Sequence, residues 1–148
     1  MNVFTGCKTW GIDYNIIYKL AALYGAAFMQ LTAMGGYLKP DDIDKKYIVE
    51  KLKEAGLMDE NQMTLVIAGG VSAGNIGANM DKLGMKGRMF LAGSSVYSHP
   101  DGASAGVKAI LCAYEAYRKY GISEKSKLIE YGQKLGEEGV PLLRALEV

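Results

Sequence analysis

Two short stretches of this chain put anion-holding residue types where apolar runs stop. Leu65-Val66-Ile67-Ala68 ends on Gly69-Gly70, and Met89-Phe90-Leu91-Ala92 ends on Gly93-Ser94-Ser95. A glycine lets its backbone N–H come within contact distance of a negative oxygen, because no Cβ stands in the way. The hydroxyls of Ser94 and Ser95 add two more donors. If a helix follows each glycine, its first turn aims unpaired N–H groups and the positive end of its dipole at the same place. The chemistry such an arrangement serves is phosphate binding. A simple turn is the plainer use of each glycine taken alone, so the pair carries more than either member.

The elements that must position these stretches follow from hydrophobic spacing. Asp13 can cap a helix reaching about Tyr24, with Ile16, Ile17, Leu20 and Leu23 on its buried side. Gly25 ends that helix, and residues 26–31 read as a short apolar strand. The loop 32–40 carries Gly35-Gly36, which suits a hinge and a plain turn equally well. Asp41 or Asp42 caps the next helix, whose face is Ile43, Tyr47, Ile48, Leu52 and Ala55, and Gly56 stops it. Residues 63–68 form a second strand, 73–83 a helix, 88–92 a third strand and 94–102 a loop. A long helix spans 103–120, with Val107, Ile110, Leu111, Tyr114 and Tyr117 as one apolar face. Ser123 caps a further helix ending near 135, and Pro141 opens a last helical turn.

Strands separated by helices pair in parallel through right-handed crossovers. Glycine-ended strands lying side by side in such a sheet make the phosphate cradle of (β/α)-barrels, usually on their last two strands. Three strands do not close an eight-stranded barrel. The chain therefore reads as α/β, either a small open sheet or part of something larger. The irregular segment 1–11 favours the larger object.

Bulk properties narrow the field. The 148 residues suffice for one domain with a core, and a net charge of +1 projects no field toward nucleic acid or an acidic partner. Lys45, Lys46, Lys51 and Lys53 sit among acids on a solvated helix face, without the interleaved aromatics that single-stranded nucleic acid requires. Cys7 and Cys112 form no CxxC, which fits a reduced, cytoplasmic chain. No leader pattern opens the chain, and no run approaches the ~20 apolar residues of a membrane span. The tyrosines and methionines are expected in core and interface positions. His99, the single histidine, has no carboxylate partner in sequence reach. His99-Pro100 reads as a loop-shaping pair, with Asp101 capping the helix that follows.

From Gly11 to about Gly121 the chain resembles the C-terminal barrel of the RuBisCO large-chain family, RuBisCO-like proteins included. Three places carry the likeness: Ala68-Gly69-Gly70-Val71-Ser72-Ala73-Gly74, then Gly93-Ser94-Ser95-Val96-Tyr97-Ser98-His99-Pro100-Asp101-Gly102, then the helix from Gly106 to Gly121. The family has Ser-Gly-Gly-x-x-x-Gly at the first place. At the second it has a glycine run followed by Gly-His-Pro-x-Gly, and then an alanine-rich helix. The resemblance implies a partial (β/α)8 TIM-barrel, about strands six to eight, plus C-terminal helices, with residues 1–148 as a single domain.

The same resemblance implies roles. Gly70, Ser94 and Ser95, with Gly69 and Gly93 at the same turns, fall where family amides hold one substrate phosphate. Ala68 replaces a substrate-contacting serine, and Gln30 replaces a histidine that binds the second phosphate. Tyr37 falls at the mobile-loop lysine that stabilises the carboxylation product, a role Lys39 reaches only with a shifted alignment. Tyrosine supplies no cation for developing negative charge, so the carboxylase pattern is broken. The implied parent is a RuBisCO-like enolase or isomerase acting on a phosphorylated ketose, in which Mg2+ polarises the carbonyl while a base takes the adjacent proton. The family's carbamylated lysine and acidic magnesium ligands belong to an earlier barrel strand, so no metal ligand is expected here. The expected partners are the sugar phosphate and either a second copy or the N-terminal part of the barrel. A true carboxylase relative, a non-catalytic oligomerising domain and a flavodoxin-like protein with four or more strands are the alternatives.

Overall fold

The computed structural model describes residues 12, 14–36, 45–57 and 63–147. The caps Asp13, Asp41 and Asp42 and the candidate residues Tyr37 and Lys39 lie outside the described residues. The elements run α1 (Tyr14–Leu23), β1 (Phe28–Thr32), α2 (Lys45–Glu54), β2 (Thr64–Ala68), α3 (Ile76–Leu83) and β3 (Arg88–Phe90). Then follow α4 (Ser94–Tyr97), α5 (Ala103–Tyr120), α6 (Lys125–Lys134), a 3-10 turn (Gly136–Gly139) and α7 (Val140–Glu147). The strands form a parallel sheet in the order β1-β2-β3, with Gln30 opposite Val66 and Val66 opposite Met89. Among the described residues the sheet has three strands. It is the parallel α/β arrangement expected of part of a (β/α) barrel.

Alternation along the strands gives the sheet two different faces. Met29, Leu31, Leu65 and Ile67 point into one buried cluster with Val49 and Leu52 of α2, Ile76 and Met80 of α3, and Ala109 and Ala113 of α5. On the opposite face Phe28 is 64% exposed and Met89 43%, and Gln30 is exposed too, in the same row as Val66 and Met89.

Two helices turn differently from their expected faces. In α1, Ile16, Leu20 and Leu23 are exposed, while Tyr18 is buried and its hydroxyl donates to the Gln30 carbonyl. The reason is polar: a phenol at the sheet can satisfy a strand carbonyl while burying its ring. In α5 the fully buried stripe is Gly106, Ala109, Ala113 and Ala116; of the expected face, Ile110, Tyr114 and Tyr117 pack half-buried against the core, while Val107 and Leu111 face out. Small residues win there because the backbones come very close. A Cβ added at Gly106 would lie 2.4 Å from the Val96 carbonyl oxygen.

Smaller differences concern ends. Residues 94–97 are a short helix inside the expected loop. Gly102 with φ +86° occupies the N-cap of α5, so Asp101 does not cap it. Glu124 holds that position for α6 in place of Ser123. The Asp101 carboxylate instead accepts from Arg144 of α7 at 3.3 Å.

Candidate functional site

The three strand ends finish level with one another. The Ala33 N–H donates to the Ala68 carbonyl at 2.7 Å, and the Leu91 N–H to the Ile67 carbonyl at 2.8 Å. The turns after β2 and β3 are therefore neighbours, as the sequence pattern requires. Gly69 and Gly70 have φ of +79° and +100°, backbone that strains any side chain. The loop after β1 presses on this turn, since a Cβ at Gly36 would lie 2.2 Å from the Gly69 oxygen. Gly35-Gly36 thus fills a close approach.

Two asparagines hold these turns in place. Asn75 donates to the Gly70 carbonyl at 2.8 Å and accepts from the Ser72 N–H at 2.9 Å. Asn79, fully buried, accepts from the Met34 N–H at 2.8 Å and donates to the Met34 carbonyl at 3.0 Å. One buried amide thereby makes a backbone-like pair with the loop after β1, and Asn75 does the same for the glycine turn. Sequence reasoning passed over both. The usable signal was a pair of asparagines four residues apart, on one helix face, just after the glycine motif.

The turn after β3 is anchored at both ends. The Ser95 hydroxyl donates to the Val71 carbonyl at 2.6 Å, tying it directly to the β2 turn. That proton is committed, whereas Ser94 is exposed. At the start of α4 the first N–H groups lack intrahelical acceptors by construction. His99 is 5% exposed; its Nδ1 accepts from the Asp101 N–H at 3.1 Å, and its Nε2 meets the Pro141 carbonyl at 2.9 Å. Behind the turns lies a cavity of about 380 Å³ lined by Ser72, Asn75, Ser95, Ser98, His99 and Lys125 among others.

The sheet brings Gly69, Gly70, Gly93, Ser94 and Ser95 together at one end. Gln30 stands apart from them, two residues before the end of β1 on the open face. Among the described residues the displaced ionisations lie on α5 and α6. Burial, and then Glu138, raise the Cys112 thiol; hydrogen bonds from Lys119 and Arg118 lower Glu115; burial raises Tyr117 and Tyr131. Among the described residues no cluster of histidine, cysteine, aspartate or glutamate could hold a metal ion. The described part of this site therefore does not fit the magnesium centre that the resemblance implies for the parent.

Comparison with known proteins settles the relationship. The family model for the ribulose bisphosphate carboxylase large chain, catalytic domain, matches residues 1–148. The chain belongs to this family. A ribulose bisphosphate carboxylase of Paramagnetospirillum magnetotacticum is 31% identical over 136 residues, covering 86% of this chain and 28% of that protein. The dimeric archaeal Rubisco from Hyperthermus butylicus superimposes with a TM-score of 0.68 at 25% identity, over 99% of this chain and 34% of that one. A rubisco-like protein from Burkholderia fungorum has the same fold, with a TM-score of 0.64 at 20% identity, over 93% of this chain and 31% of that one. The chain thus spans about a third of the length of these family members.

Proposed function

We propose that this RuBisCO-family chain supplies the phosphate-binding strand ends of a RuBisCO-like protein whose parent enolises or isomerises a phosphorylated ketose. The observation that carries the reading is the convergence of the turns at 69–70 and 93–95 on adjacent strand ends, tied by Ser95 to Val71. Backbone amides of Gly69, Gly70, Gly93, Ser94 and Ser95 would bind one phosphate, and Gln30 would orient the rest of the substrate. Tyr37 or Lys39 would close over it from the loop after β1. Magnesium would be held by other parts of the parent. A cytoplasmic setting goes with this reading, supported by the free thiol of Cys112.

Calorimetry on the chain tests it. Ribulose 1,5-bisphosphate should bind in the millimolar range, weakly because a partial site leaves ordering costs unmet. Free ribulose should not bind, and Gly70→Ala should weaken the bisphosphate. Equal binding of sugar and sugar phosphate would end the proposal.

One observation favours a second reading, a non-catalytic oligomerising domain. Phe28, Met89 and Leu91 leave an apolar sheet face open, and such faces promote association. Sedimentation as a clean monomer with cooperative unfolding would remove that reading.

A further inference from the structure

The ring of His99 has both nitrogens engaged, and its partners dictate where the proton sits. A backbone N–H can only donate, so Nδ1, facing the Asp101 N–H at 3.1 Å, carries no proton. A carbonyl can only accept, so Nε2, 2.9 Å from the Pro141 oxygen, carries one. The ring thus joins two segments 42 residues apart, the end of the β3 loop and the start of α7. Arg144 of α7 adds a second link to Asp101 at 3.3 Å, exposed and therefore weak. Helix α7 is itself fixed, with Leu142 and Leu146 buried. The short helix α4 is held at both ends, by Ser95 on Val71 and His99 on Pro141, and Gly106 packs closely on it at Val96.

We propose that His99 is a positioning residue: in its neutral Nε2–H form it locks the 93–95 turn to α7 and so sets the affinity of that turn for phosphate. The inference rests on the phosphate-binding reading above and adds a residue that touches no ligand. Pre-organised donors bind more tightly than donors that must be ordered first.

The chain has one histidine, so its ring nitrogens report without ambiguity in a long-range proton–nitrogen correlation spectrum. The expected signature is a single tautomer, with Nδ1 bare and Nε2 protonated. Inorganic phosphate is then titrated against the amides of residues 69–70 and 93–95. His99→Asn retains a short acceptor for the Asp101 N–H but cannot reach Pro141, and His99→Gln retains the longer donor but loses the acceptor. Each should weaken phosphate roughly five-fold, the effect of one lost hydrogen bond, in protein that still unfolds cooperatively. Folded variants with unchanged phosphate affinity would overturn the positioning role and leave the phosphate site standing. No response of either turn in the unmodified chain would overturn both. If neither variant folds, the tautomer decides, and an Nδ1–H ring or a mixture of forms overturns the proposal.

Discussion

The sheet end at β2 and β3 and the edge at β1 and α1 are built from similarly apolar sequence, yet they differ in what stands opposite. At the first, α5 lays a stripe of glycine and alanine against its neighbours, Asn75 and Asn79 satisfy loop backbone, and α7 backs the β3 turn through His99. At the second, Ile12, Ile16, Leu20 and Leu23 are about half exposed or more, and Phe28 is exposed on the open sheet face. The difference shows that the candidate site is braced by residues of this chain, while the β1 edge presents surface of the kind a closed barrel buries.

Substitutions can break or sharpen this contrast. Ile67→Ala, at a fully buried position of β2, should cost about 2–5 kcal/mol in urea unfolding. Leu20→Ala, on the open side, should change stability by less than about 0.5 kcal/mol. Comparable losses at both would erase the distinction. Gly106→Ala forces a Cβ into the Val96 backbone and should cost about 1–3 kcal/mol. Asn79→Ala should cost a similar amount by orphaning the Met34 backbone, and hydrogen exchange should show the loss concentrated in the loop after β1.

Smaller effects probe the open side and the helical layer. The pair Leu20→Ser and Leu23→Ser should leave unfolding nearly unchanged while reducing self-association and binding of a hydrophobic dye. An unchanged sedimentation profile would show that α1 is not part of a contact surface. In a Cys7→Ser background, Cys112 should alkylate slowly at neutral pH, because burial and then Glu138 hold its thiol protonated. The folded state binds that proton more tightly than the unfolded one. Its small stabilisation is therefore complete below the unfolded value near ~8.5 and fades as pH rises through it toward the folded value. Stability rising over that interval in this background would contradict the assignment.

Much of this arrangement was legible in the residues. The parallel order, the glycine-ended strands and helix 103–120 followed from periodicity and punctuation, because each element carries its own stop signal. The packed face of α1 was not legible, and that of α5 only in part: Ile110, Tyr114 and Tyr117 flank a stripe of glycine and alanine. Periodicity finds the most apolar stripe, whereas tight approach selects the smallest residues, as at Gly106, and a strand carbonyl selects a phenol, as at Tyr18. The asparagine clips escaped for a similar reason. Their value lies in backbone groups of distant loops, which only the folded chain brings within reach. The link from His99 to Pro141 spans 42 residues and has no local signature.

The central claim is that the β2 and β3 strand ends form one phosphate site. Its most direct test is backbone amide mapping of the chain during titration with ribulose 1,5-bisphosphate. The account predicts saturable shifts at Gly69, Gly70, Gly93, Ser94 and Ser95 together, with the open-face residues Phe28 and Met89 unmoved. Shifts confined to the open face, or none at the two turns up to millimolar ligand, would contradict it.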